Sequence, residues 1–263
     1  MQKFARQLGC EANSESVMQA LRKEKSLKVN HLIPYINKVR KLLVKIVNNR
    51  VVGVNPKYST KAAETPTYLS GVSPSGGAFS FDILTTTPKH TFLATTDPRR
   101  DPSTVPSDLV NLLVHEEYGH CVHYSNSSRG YGAKPALVEM LNSILGSAIS
   151  EGMSFQFFTK AWRMTRFLRV IGDARINSRK QDLPDFVEWA SKETGLSKSM
   201  IYFQVFPAHQ GIGPGYASTY AIIGESIRKI QNAAKEKDKD LVKLNTTLHR
   251  SDLDQERYSE HVS

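Results

Sequence analysis

Within residues 107–125, three imidazoles and two carboxylates fall in nine positions: His115, Glu116, Glu117, His120 and His123. They adjoin an apolar run in which Leu109, Leu112 and Leu113 recur at the spacing of a core-facing helical stripe. Ionisable groups beside a buried stripe are costly unless something pairs them, and a divalent metal is the obvious partner. In the usual zinc-protease pattern two histidines stand four apart and share a helix face. Here His115 and His120 are five apart, which on a regular α-helix separates them by about 140°. A π-bulge would return them to one side; such bulges favour functional sites, and Gly119 sits where the helix would deform. On this reading His115 and His120 bind zinc and Glu116 is the general base.

Other groupings of the same residues stand beside it. On an undistorted helix Glu116, His120 and His123 share a face, as a different metal site or a hydrogen-bonded polar cluster. Glu117 and His120 match the E-x-x-H pair of di-iron bundles, although no second E-x-x-H occurs in the chain. Cys121 adjoins His120 and reads as a buried structural thiol. Ser107 is a plausible N-cap for this helix, and Asp108 suits the positive end of its dipole.

The elements that must position these residues follow from periodicity. Residues 14–29 and 31–48 read as two helices, with Pro34 tolerable in the first turn of the second. From Val51 to Thr96 the texture turns β-like, in Val51–Val54, Thr67–Leu69, Ala78–Leu84 and Phe92–Thr96. Gly71, Pro74, Gly76 and Gly77 punctuate those runs as turns. An edge strand of this small sheet, beside the metal helix, could hold an extended peptide by main-chain hydrogen bonds, or the sheet could serve only to pack that helix. The stretch from Asp97 to Pro106 is a loop into the metal helix, and residues 125–132 read as a connector after it or as a substrate-binding loop.

Residues 135–159 read as a helix whose stripe of Leu137, Leu141, Ile144, Leu145 and Ala148 continues to Glu151. A carboxylate on a buried face demands a cation. Glu151 is therefore the natural third protein ligand to zinc, leaving the fourth position for water. The alternative is a salt bridge to Arg163, Arg166 or Arg169. Helices are expected over 160–177, 183–194 and 197–206. A glycine-rich segment then opens a last long helix running to about Lys235. That segment carries His209, Tyr216 and Tyr220. His209 and Tyr220 are the candidates to donate to a tetrahedral oxyanion, although a tyrosine at helical spacing also fits a core. Residues 236–263 read as a charged tail, an exposed helix or frayed end.

The chain has 263 residues, 40% hydrophobic and 23% charged, ample for a core. It contains no apolar run of about 18 residues, so no membrane span is read. No apolar signal-peptide core follows Met1, and two cysteines are too few for a disulfide framework, so the expected compartment is the cytoplasm. The net charge of +10 is concentrated, with nine Lys/Arg against one Glu over residues 21–50. Those cations interleave with Leu32, Ile33, Val39, Leu42, Leu43, Ile46 and Val47. That is the pattern of amphipathic helices with solvated basic faces. No nucleic-acid signature accompanies them.

Three motifs occur in one order: His115-Glu-Glu-Tyr-Gly-His120, Glu151-Gly-Met153 and Pro214-Gly-Tyr-Ala-Ser-Thr-Tyr220. Together they resemble a family of bacterial zincin-like proteins long known as a domain of unknown function. Its members carry H-E-x-Y-P-G-H, then E-G-W, then P-G-Q-A-x-S-Y. Arg169–Asn177 and Thr194–Ser197 are similar to the stretch between the last two motifs, so the resemblance spans roughly residues 14–235. This chain lacks the proline of Y-P-G-H, and its H-E-x-x-G-H resembles the zinc motif of dipeptidyl peptidase III. Met153 stands for the tryptophan of E-G-W, and Tyr216 for the glutamine after Pro-Gly.

The resemblance implies a mainly α fold with a small β-sheet and zincin-like (gluzincin) architecture. One catalytic domain over 1–263 is expected: N-terminal helices to residue 50, the sheet over 51–96, and a helical metal-site core over 107–235. Zn2+ held by two histidines and a glutamate, with peptide hydrolysis, is also implied. Family members are about twice as long, with a helical half before the matched region. The resemblance therefore implies a reduced form, a fragment or one part of a split enzyme, its cleft either open or completed by a partner chain supplying the missing N-terminal half. In the expected reaction Glu116 takes a proton from water and passes it to the leaving amine of a peptide substrate. The rival reading is a non-catalytic helical binding module with a degenerate metal site. Such a module could bind nucleic acid through its basic N-terminal region.

Overall fold

The computed structural model describes residues 1–56, 58–70, 76–81, 89–97, 104–122, 152–206 and 213–250. Over them the chain is mainly helical with one small β-sheet. In chain order the first elements are α1 (Gln2–Leu8), α2 (Ser14–Lys25), α3 (Leu32–Arg50), β1 (Thr60–Glu64), the short α4 (Thr67–Ser70), β2 (Gly76–Phe81) and β3 (Lys89–Ala94). Next comes α5 (Pro106–Leu113), prolonged by a π-helical segment over Val114–Cys121. The remainder is α6 (Gly152–Asn177), α7 (Leu183–Thr194), α8 (Lys198–Phe206), α9 (Tyr216–Glu236) and α10 (Leu241–Arg250). These elements divide into two compact units, Met1–Ser26 with Glu151–Ile223, and Leu27–Ser150 with Gly224–Ser263.

In the first unit, α6, α7 and α8 pack around Leu168, Phe186, Val187, Ala190, Leu196, Ile201 and Val205. Gly172 lets them approach, since a β-carbon there would stand 3.0 Å from a Phe186 ring carbon and 3.1 Å from Val205 Cγ1. Capping fixes the helix ends. Asn13 accepts from the Ser16 N–H at 2.8 Å and Asp182 from the Asp185 N–H at 2.9 Å. Gly195 ends α7 in the left-handed region, at φ 69°, where a β-carbon would be strained. Its carbonyl accepts from both the N–H and the hydroxyl of Ser14. Phe4 meets Phe157 edge to face at 5.5 Å, which seats α1 on α6.

The second unit is built on α3, whose Ile36, Leu43 and Val47 are fully buried. The sheet order is β1-β3-β2, with β1 parallel and β2 antiparallel to β3. The central strand buries His90, Thr91, Phe92, Leu93 and Ala94 in succession, as a strand covered on both faces does. Helix α5 is likewise buried from Ser107 to Leu113. Both β2 and β3 pack against the π-helical segment that follows it.

Several local expectations are corrected. Val51–Val54 is not a strand, because its backbone groups are already taken. The N–H groups of Val51 and Val52 donate to Val47, Gly53 donates to Thr246 Oγ1, and the Val51 carbonyl accepts from Asn245. Thr67–Leu69 forms a helical turn after Pro66 instead of a strand. Gly76 and Gly77 lie within β2, whereas Gly71 and Pro74 lie outside the described residues. Ser107 is not the cap of α5; Val105 holds that place, with Pro106 in the first turn. No boundary falls near residue 160, since α6 runs unbroken from Gly152. The expected stripe over 135–148 lies outside the described residues. Phe167 and Ile171 are exposed on α6. Part of the charged tail is ordered as α10, capped by Asp240 and tied in by the fully buried Asn245.

Candidate metal centre

The π-helical segment resolves the awkward spacing of His115 and His120. With N–H groups reaching back five residues instead of four, side chains five apart rise on one side of the helix. The two imidazole rings accordingly stand 5.2 Å apart, edge to face. Glu116 reaches between them. One carboxylate oxygen lies 3.9 Å from His115 Nε2 and the other 3.8 Å from His120 Nε2. One donor atom from each of the three side chains lies within 4.8 Å of the others. Their side chains are 22%, 18% and 21% exposed, so the cluster is partly open to solvent. Imidazole nitrogen and carboxylate oxygen are a donor set that suits zinc. The expected deformation is therefore present, though as an eight-residue π-helix and not a single bulge.

Glu117 points away from this cluster. It is 2% exposed, and Arg40 Nε of α3 lies 2.7 Å from one of its oxygens and 3.0 Å from the other. Burial pushes the Glu117 carboxyl above its usual range, while the Arg40 charge and hydrogen bond pull the other way. The Tyr58 phenol lies against the same carboxylate, and burial followed by the Glu117 charge pushes it far up. Tyr118 is fully buried and donates its hydroxyl to the Arg40 carbonyl at 3.2 Å. His90 lies 5.7 Å from the Tyr58 ring, and burial holds its imidazole below the ordinary value. The di-iron pairing of Glu117 with His120 is not what forms, because Arg40 engages Glu117 behind the helix. Cys121 is buried as expected.

In the first unit the glycine-rich segment is held by a residue the sequence reading passed over. Asp173, in α6, accepts from the Gly215 N–H at 3.0 Å, the Ser218 N–H at 3.2 Å and the Ser218 hydroxyl at 2.9 Å. Asn177 donates to the same carboxylate at 2.6 Å. Burial pushes this carboxyl up, but the hydrogen bonds outweigh it and hold the group below its ordinary value. Asp173 thus caps α9 from another helix, where Gly215 lies at φ 85°. Tyr220 lies in α9, and its side chain is outside the described residues. His123, Glu151 and His209 also lie outside them.

The sequence matches no family model and no curated protein. A solved structure is nevertheless similar in fold: a protein of Colwellia psychrerythraea named provisionally as a lipoprotein, with a TM-score of 0.72 at 15% identity. The similarity covers 99% of this chain and 48% of that one, so the chain spans about half the length of the protein it matches. Among the described residues no helix is long and apolar enough to cross a membrane.

Arg40 and Asp173 are, among the described residues, two that sequence reasoning missed. Arg40 sat in a stretch read as a solvated basic face, yet its side chain is only 14% exposed. The usable signal was Tyr35-Ile36 and Val39 beside Leu43, which put Arg40 next to a buried stripe. For Asp173 the signal was an acid near the end of an otherwise basic helix, ahead of a Gly-Pro-Gly turn that has no capping side chain of its own.

Proposed function

We propose that this chain is a zinc-dependent metallopeptidase in which Glu116 is the general base. The reading is carried by one observation, the convergence of His115, Glu116 and His120 on a single face of a π-helical segment, partly open to solvent. His115 and His120 hold the metal, and Glu151 is the third protein ligand that the sequence pattern nominates. Zinc bound there supplies a Lewis acid that polarises a peptide carbonyl and acidifies water. Glu116 takes the proton of the attacking water and delivers it to the leaving amine. Tyr220 or His209 donates to the developing oxyanion. Among the described residues β2 pairs with β3 alone and packs against the π-helical segment, which supports an extended peptide as substrate.

Elemental analysis of the purified protein, beside His120→Ala and Glu116→Gln samples, tests the reading. One zinc per chain is expected in the wild type and in Glu116→Gln, and none in His120→Ala, with peptide hydrolysis lost in both variants. Absence of metal from wild-type protein incubated with zinc would refute it. Loss of zinc from Glu116→Gln would instead make Glu116 a ligand, a role its position between the two imidazoles also allows.

A further inference from the structure

We infer that Arg40 is a positioning residue that selects the π-helical register of Val114–Cys121 and so sets His115 and His120 on one face. For its consequence at the metal the inference rests on the reading above, while the register is a feature of the fold itself. A π-helix is rare and needs tertiary contacts to hold it against the ordinary α-helix. In this segment the two central side chains, Glu117 and Tyr118, both end on Arg40. Glu117 meets the guanidinium Nε, and Tyr118 donates to the main-chain carbonyl of the same residue. The guanidinium is itself fixed at its other nitrogens. Nη2 donates to the carbonyl of Thr60, the first residue of β1, at 2.5 Å, and Nη1 donates to Asn37 at 3.3 Å. One arginine therefore fastens α3, the sheet edge and the π-helical segment together.

Rewinding Val114–Cys121 as an α-helix would rotate Glu117 and Tyr118 about the axis by unequal amounts. Both could not stay on Arg40. A buried carboxylate drawn away from its cation is strongly destabilising, whereas replacing both partners with apolar groups is often neutral. The pair thus acts chiefly against the alternative register, a use of buried charge known from helix pairing. Its effect on metal binding is indirect, since the register alone decides whether imidazoles five residues apart can share an ion.

The test uses the full chain and the double variant Arg40→Met/Glu117→Leu, which leaves no unpaired charge behind. Cobalt(II) is titrated while its d–d absorption is followed, thermal unfolding is recorded, and crystal structures of wild type and variant are determined. The variant is expected to melt close to wild type, to bind cobalt about 10–100-fold more weakly, as loss of groups supporting metal ligands typically does, and to be α-helical through residues 114–121. Equal cobalt affinity, or a π-helix retained in the variant, overturns the inference. Failure of wild-type protein to bind cobalt sinks the metallopeptidase reading, and the two crystal structures still decide the register. Should the double variant not fold, Glu117→Gln takes its place with the same readouts. Weaker binding then supports the role of the pair, and unchanged binding overturns it.

Discussion

Replacing Asp173 with alanine removes three hydrogen bonds from the start of α9, donated by the Gly215 N–H, the Ser218 N–H and the Ser218 hydroxyl, and a fourth from Asn177. Loss of a helix cap costs about 0.5–2 kcal/mol, and a hydrogen bond to a charged group contributes about 1.5–3 kcal/mol. These terms are not additive, and water takes over part of the loss because Gly215 is exposed and Ser218 half-buried. A net cost of about 2–3 kcal/mol follows, which for a chain of this size lowers the melting temperature by roughly 5–10 °C. The charge has its own signature. The folded-state pKa of Asp173 lies below its ordinary value, so its contribution is complete above the unfolded value of about 3.9 and drains away as pH falls through the folded one. Asp173→Asn, which cannot ionise, should differ most from wild type near neutrality, with the gap closing in acid. Urea unfolding followed by circular dichroism, at intervals from about pH 7 to pH 3, reads both effects. A gap that stays constant with pH, or an alanine variant within about 0.5 kcal/mol of wild type, would refute the reasoning.

Three further substitutions probe the packing. Gly172→Ala improves helix propensity by about 1 kcal/mol, but its methyl group would meet Phe186 at 3.0 Å and Val205 at 3.1 Å. Overpacking costs about 1–3 kcal/mol, so the variant should unfold at lower urea, and a more stable variant would contradict the close packing. Asn245→Leu strands the Val51 carbonyl and the Gln231 amide, bonded to it at 2.7 and 3.0 Å, and should cost about 2–4 kcal/mol by thermal melt. A neutral result would mean those groups find other partners. Tyr118→Phe keeps the buried ring and loses only the 3.2 Å bond to Arg40, so chemical denaturation should register a loss of about 1 kcal/mol. A loss above about 3 kcal/mol would give the hydroxyl a larger role than one hydrogen bond.

The π-helical segment was legible because the anomaly is in the spacing itself: histidines five apart, with a glycine between, fit no regular helix face. The helical periodicity was equally readable, and α3, α7 and α9 lie close to where their apolar residues put them. Strand β1 was not readable, since Thr-Lys-Ala-Ala-Glu carries little β preference and takes strand form from its ladder to β3. Val51 and Val52 misled in the opposite direction. Two β-branched residues resemble a strand, but burial at the end of α3 accounts for them fully. Arg40 escaped because a cation in a basic stretch looks solvated until the carboxylate facing it, 77 positions away, is known. Such long-range pairings leave no periodic mark.

The two-stretch construction of each unit bears on how the protein is made. Met1–Ser26 leaves the ribosome ahead of the rest of its unit, since the stretch that completes that unit begins 125 positions later, at Glu151. At about 5–20 residues per second that is a wait of roughly 6–25 s. During it Val17 and Leu21 of α2, both finally buried, have no finished core to enter. Leu27–Ser150 waits in turn for the residues after Gly224, which bring Gln231 and Asn245. The nascent chain therefore carries two open apolar surfaces at once, and its yield should depend on whatever shields them during synthesis.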